Sequence, residues 1–113
     1  MARMDLLQGT LDGLILKALS WGPLHGYAAA RWIKTASEEV FQIEEGALYP
    51  ALHRMEQKGW VEAEWGLSEN NRRAKFYQLT QKGRRALEHE KASWTRYAAA
   101  VARVFESPQK ATS

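Results

Sequence analysis

The chain contains no cysteine. That excludes a disulfide scaffold and any thiolate metal site. Its three histidines, His25, His53 and His89, lie far apart and form no HxH or HxxxH pair, so no metal is expected. No apolar run approaches the roughly 20 residues that cross a bilayer, and no membrane partner is expected. The opening Met1-Ala2-Arg3-Met4-Asp5 is followed by no long apolar core with a small-residue cleavage site, which leads to the expectation of a cytoplasmic chain. Catalytic groupings are missing too. No serine sits in a nucleophile elbow, no glycine-rich loop is built for phosphate, and the glutamate pairs at 38–39, 44–45 and 62–64 have no partnered acid or base. The expectation is a non-enzyme without a cofactor. There are no internal repeats, linkers or low-complexity segments.

What is present is one domain's worth of apolar residues: 113 residues, 45% hydrophobic, enough for a modest core. The net charge of +3 is small but unevenly spread. Residues 1–36 carry +2, residues 37–69 carry −6 and residues 70–113 carry +7. A basic surplus beginning at Asn70-Asn71-Arg72-Arg73 suggests a polyanionic partner. The plainer alternative is that the excess cations solvate a helix.

The pattern predicts three helices, a hairpin and a last long helix. Thr10 is the expected N-cap of the first helix, whose stripe Leu11, Leu14, Ile15, Ala18 and Leu19 stops at Trp21-Gly22-Pro23. His25-Gly26-Tyr27 opens the second, which runs to about Ala36 with Ala29 or Ala30, Ile33 and Trp32 inward. Ser37 is a turn or cap candidate, with Val40, Phe41 and Ile43 as small anchors. In the third, from about Gly46 to Lys58, Leu48, Leu52 and Met55 share an apolar face. Gly46, Tyr49, Pro50, His53 and Gln57 fall opposite, with Arg54 beside them. Pro50 is expected in the first turn, where it costs little, and Gly59 is the expected stop. A phenol, an imidazole, amides and a rigid ring suit the floor and walls of a major groove. Tyr49 packing on a neighbouring element is the bland alternative. His53 is a base contact, a phosphate contact or merely solvated, and His25 reads as a helix-start residue bonding the backbone. Two short helices of this kind match a helix-turn-helix.

After Gly59 the period changes to two. Val61, Ala63 and Trp65 alternate with Glu62 and Glu64, and Lys75–Leu79 reads as the returning strand. Arg72, Arg73 and Lys75 then sit at the hairpin tip and descending strand, where cations enter a minor groove or clamp phosphates. Trp21, Trp32, Trp60 and Trp65 read as core or cover. Thr80 is the expected N-cap of a helix reaching about Glu106. Leu87, Trp94 and Val101 recur at seven-residue spacing, with Ala98 and Phe105 extending the stripe and Tyr97 and Val104 flanking it. Such a stripe on a protruding helix calls for a partner helix, most simply that of a second copy.

Four stretches, Thr10–Leu16, Pro23–Tyr27, Gly46–Glu56 and Phe76–Gly83, resemble the signatures of the PadR-like transcriptional regulators in order and spacing. The resemblance covers residue 6 to about residue 87. It implies a mainly α chain with a small β-hairpin (α+β). Residues 1–79 would be a winged helix-turn-helix, 80–107 a dimerisation helix and 108–113 a disordered tail. It also implies a homodimer that represses bacterial genes for stress, detoxification or antibiotic response. Tyr49, Pro50, His53 and Arg54 match the groove-facing stretch, and Arg72, Arg73 and Lys75 the wing. Some short members hold flat aromatic compounds between paired tryptophans at the dimer interface, and Trp94 stands on the corresponding stripe, either as seam or as the wall of a slot. Three departures stand out. Gly13 replaces a usually bulky residue and Ala29 a larger aliphatic one, which predicts looser packing. Glu44-Glu45 puts carboxylates at the start of the recognition helix, which predicts weaker phosphate contact there.

The expected function is thus a dimeric repressor on an inverted-repeat operator in double-stranded DNA, relieved by a small effector, aromatic where Trp94 lines a slot. Leu87, Trp94, Ala98, Val101 and Phe105 are the expected seam and effector residues. The rivals are a winged-helix module that docks proteins, favoured by the acidic middle segment, and a small-molecule-binding dimer with weak DNA binding.

Overall fold

The computed structural model describes residue 6 and residues 9–109. Of the expected arm over residues 1–9 and tail over 108–113, residues 1–5, 7–8 and 110–113 lie outside the described residues.

Helix α1 (Leu11–Ala18) tightens into a 3-10 turn at Leu19–Trp21. Ile15, Leu16 and Leu19 are buried, because helices pack on α1 from three sides. Thr10 precedes α1 as expected but does not cap it: its backbone is already helical and its side chain makes no capping bond. Strand β1 (Leu24–His25) leads directly into α2 (Gly26–Ala36). His25 starts α2 chemically, its Nδ1 accepting the Ala28 N–H at 3.2 Å. Ala29 and Ile33 are buried, with Ala30 and Trp32 half-buried beside them. Residues 37–44 then link to α3. The Ser37 hydroxyl donates to the Lys34 carbonyl and accepts the Phe41 N–H, while Phe41 and Ile43 pack against the core.

Helix α3 (Glu45–Gln57) buries Leu48, Leu52 and Met55, the expected stripe, and also Ala51. Burying the three large side chains stabilises the fold by about 1.5–3 kcal/mol each. Gly59 ends the helix with φ +76°, a left-handed stop suited to glycine. Pro50 departs from expectation. It is the sixth residue of α3, inside the helix rather than in its first turn, so its ring removes the helical donor for the Gly46 carbonyl.

Strands β2 (Val61–Leu67) and β3 (Arg73–Leu79) form the expected hairpin, in register from Val61↔Leu79 to Leu67↔Arg73. The sheet has a third strand that the pattern did not announce. β1 pairs with β3 at Leu24↔Tyr77 and His25↔Phe76, giving the antiparallel order β1-β3-β2. Two residues are too short to show a period. At the hairpin tip Asn71 takes φ 59°, and the Ser68 N–H donates to the Arg72 carbonyl at 2.8 Å.

Helix α4 (Gln81–Glu106) has 26 residues and so runs about 39 Å. Its start is clamped. The Thr80 hydroxyl accepts the Gly83 N–H and donates to the Gly59 carbonyl at 2.6 Å, and the Thr80 N–H donates to the Trp60 carbonyl at 3.0 Å. Leu87 is 6% exposed and belongs to the chain's own core, so the unpartnered stripe begins after it rather than with it. The rest of α4 extends past the core. The radius of gyration is 16.7 Å, against about 13 Å for a compact chain of this length.

Of the two expected loose spots, Gly13 is tight and Ala29 is buried. A Cβ on Gly13 would come within 3.3 Å of Glu90 Cβ, so the small residue lets α1 and α4 approach closely. Ala29 is fully buried. The closest approach is at Gly83, where a Cβ would collide with the Trp60 carbonyl oxygen and lie 2.9 Å from its carbon. Gly83→Ala is therefore expected to lower stability by about 3 kcal/mol in chemical unfolding, far beyond the small helix-propensity gain of alanine.

Candidate nucleic-acid interface

An α-helix turns about 100° per residue. With Leu48, Ala51, Leu52 and Met55 buried, Gly46, Pro50, His53 and Gln57 lie on the opposite side of α3. All four are exposed, and that side bears no carboxylate. Tyr49 and Glu56 occupy one flank, Ala47 and Arg54 the other.

The flanks are tied to neighbouring elements. Tyr49 leans over the start of α2, where a Cβ on Gly26 would meet its ring at 2.9 Å. The packing alternative for Tyr49 therefore holds in part, since the ring is still 42% exposed. Partial burial raises its pKa above 10.0, and Glu45 raises it further, so the phenol is neutral and keeps its proton to donate. On the same flank Glu56 pairs with Lys75 of β3 at 3.3 Å, which joins the wing to the recognition helix. On the other flank Arg54 Nη2 meets Asp12 Oδ1 of α1 at 2.9 Å. Both pairs are partly exposed, so each is worth under about 1 kcal/mol. Their role is aim more than stability.

The wing cations differ from one another. The Arg73 guanidinium lies 4.6 Å over the Trp65 ring. Arg72 is exposed, and its guanidinium has no partner among the described residues; its backbone is engaged with Ser68, the N–H donating to Ser68 Oγ at 3.3 Å and the carbonyl accepting the Ser68 N–H. At the tip Glu69 is answered by Arg31 of α2 at 3.2 Å. The basic surplus of the last third is divided. Three of its cations are on the wing, whereas Lys82, Arg84, Arg85, Lys91, Arg96 and Arg103 lie along α4. The helix-solvating reading thus accounts for most of the surplus.

The tryptophans correct the core-or-cover expectation for two of four. Trp32 and Trp60 pack against the core. Trp21 is 67% exposed, with its ring 5.1 Å from Trp32 and Lys17 above it. Trp65 is 56% exposed. Along α4, Trp94, Tyr97, Val104 and Phe105 are exposed, Ala98 and Val101 are half-buried, and the Trp94 and Tyr97 rings lie 5.9 Å apart. No helix among the described residues is long and apolar enough to cross a membrane. Sequence reasoning missed the Asp12–Arg54 and Glu56–Lys75 pairs, which join residues distant in the chain and leave no local signal.

Three helices, a helix-turn-helix pair among them, followed by a hairpin set beside the second helix of that pair, define a winged helix-turn-helix. Known proteins place it further. The sequence profile of the transcriptional regulator PadR-like family matches residues 15–89. A Lysinibacillus sphaericus protein, described as uncharacterized protein X, is 31% identical over 94 residues, covering 83% of this chain and 86% of its own. A PadR-like transcriptional regulator from Bacillus cereus superposes with a TM-score of 0.75 at 28% identity, over 90% of this chain and 97% of that one. Bacillus subtilis PadR, solved in complex with operator DNA, shares the fold with a TM-score of 0.62 at 24% identity, over 70% of this chain and 45% of that one. The chain belongs to the PadR-like family of transcriptional regulators.

The flank of Tyr49 yields a direct check. Glu45→Gln removes the nearby charge but not the burial. A raised phenol pKa in the folded state means stability that is present below about 10 and lost as pH rises through the folded value. Ultraviolet titration of Glu45→Gln should show one tyrosine ionising at lower pH than in the parent, and the parent should lose more stability at alkaline pH than Tyr49→Phe.

Proposed function

We propose that the chain is a dimeric repressor that reads an inverted repeat in double-stranded DNA. The observation that carries this reading is the outer side of α3: Pro50, His53 and Gln57 exposed without a carboxylate, with Tyr49 and Arg54 on its flanks and the cations of the wing alongside. In the operator complex of Bacillus subtilis PadR the same fold meets DNA, which supports it. Tyr49, His53 and Arg54 would discriminate between bases, Pro50 would press on the groove wall, and Arg72, Arg73 and Lys75 would hold the flanking backbone or minor groove.

The second copy enters through α4. Trp94, Tyr97, Ala98, Val101, Val104 and Phe105 make an apolar stripe on a helix that outruns the chain's core, and a second α4 of the same pattern covers it. Two recognition helices would then lie one helical turn of DNA apart, about 10 base pairs. A small aromatic effector seated by Trp94 at this seam would alter their separation and draw the population away from the DNA-competent state.

Selection of bound sequences from random duplex DNA tests the reading. The expected outcome is an enriched inverted repeat. Purely salt-sensitive binding without enrichment would favour a module that docks proteins. Sedimentation should give twice the chain mass at the same time. The double variant Arg72→Ala/Arg73→Ala should weaken all duplexes alike and reduce the salt slope by about two; unchanged affinity would remove the wing from the interface.

A further inference from the structure

We propose that the outer end of the wing is an apolar wedge for the DNA minor groove, led by Leu67 and backed by Trp65. This rests on the reading of the chain as a DNA-binding dimer. The strand register carries the inference. Trp65 stands opposite Lys75 and Leu67 opposite Arg73, so these four side chains leave one face of the sheet. It is the face turned to α3: on it Lys75 reaches Glu56 of α3 at 3.3 Å, and Val61, Tyr77 and Leu79 are buried in the core. Cover ends at Tyr77. Beyond it Trp65 is 56% and Leu67 66% exposed.

A half-buried strand needs apolar side chains only where something packs on them. β2 continues the apolar alternation two positions past its cover, with two large side chains. Beside them on β3 stand Arg73, stacked 4.6 Å from the centre of the Trp65 ring, and then Lys75. The acids of the hairpin are kept off this face. Glu62 and Glu64 alternate to the other side of β2, and Glu69 is paired with Arg31.

Apolar side chains flanked by a row of cations fit a surface that is apolar within and anionic at its rim. The minor groove is such a surface, with sugars and base edges between two rows of phosphates. Leu is among the residues that enter a base step there, unstacking it and bending the duplex. Arg73, held flat by Trp65, would meet a phosphate beside the entered step.

Leu67→Ser and Trp65→Ala in the full chain test this on a duplex recovered from the random-sequence selection, with affinity measured across a salt series and DNA bending by energy transfer between end-labels. Each variant should bind about tenfold more weakly and bend the duplex less, with unchanged thermal stability. Leu67→Ser should also keep the parent salt slope, because no phosphate contact is lost. Parent-like affinity and bend would overturn the wedge and leave the DNA reading standing. Weaker binding with an unchanged bend would overturn insertion, and a lowered Tm with parent-like affinity would assign both residues to hairpin stability. If the parent itself enriched no duplex, the DNA reading would fail and the wedge with it.

Discussion

The seat of α4 on the turn between α3 and β2 is the constraint from which the rest of the arrangement follows. Gly83 lies so close to the Trp60 carbonyl that no side chain fits between them, and Thr80 bonds both Gly59 and the first turn of α4. Three elements meet within these few residues: the end of the recognition helix, the first strand of the wing and the start of the long helix. Their directions are set together. A change of tilt in α4 must move Trp60, and with it the end of α3 or the root of β2.

A second junction lies on the other side of α3. Gly13 of α1 touches Glu90 of α4, and the adjacent Asp12 holds Arg54. The α4 helix therefore borders the recognition helix by two routes, one through backbone at Trp60 and one through α1. The first is a backbone contact, which leaves little slack between the helix proposed to carry the dimer and the helix proposed to read DNA, whereas the second ends in the half-exposed Arg54 side chain. The ion pairs add direction. Glu56 of α3 and Asp12 of α1 each take one cation, so one carboxylate of the acidic middle segment, Glu56, serves as internal tether and not as a surface that repels phosphate.

Helices with strong stripes were legible. Leu48, Leu52 and Met55 were placed by periodicity alone, and α4 by its heptad-like spacing and Thr80. The family was legible too, because four short signatures occur in order. What escaped had identifiable physical causes. β1 has two residues and exists only because β3 offers it an edge. Thr10 has the right chemistry for a cap, yet its backbone had already entered helical geometry. Pro50 was read as a first-turn residue, but it lies four residues past Gly46 and so removes the donor for that carbonyl whether the helix starts at Glu45 or at Gly46. Gly13 and Ala29 looked like defects in a one-dimensional comparison, where a missing side chain reads as missing packing; in the fold α4 comes close to α1 at Gly13, and Ala29 is fully buried. Trp65 was assigned to a buried face by alternation, which states which side a residue takes but not how far the core extends beneath it.

The state of Arg54 bears on how such an interface would discriminate. Its guanidinium is occupied by Asp12 at 2.9 Å, yet its side chain is half exposed. A pair of that exposure is worth under about 1 kcal/mol, while a good bidentate contact to guanine is worth about 1–3 kcal/mol of discrimination. If Arg54 reads a base as proposed, giving up Asp12 would cost less than a guanine edge adds in discrimination, whereas a lone, solvent-screened phosphate would bring little gain. In the proposed DNA complex Asp12 would act as a threshold, withholding Arg54 from general electrostatic binding and releasing it where the groove offers two acceptors. Arg72, exposed and without a side-chain partner among the described residues, has no such threshold. The two arginines would then divide the work, one supplying affinity for any duplex and the other responding to its sequence.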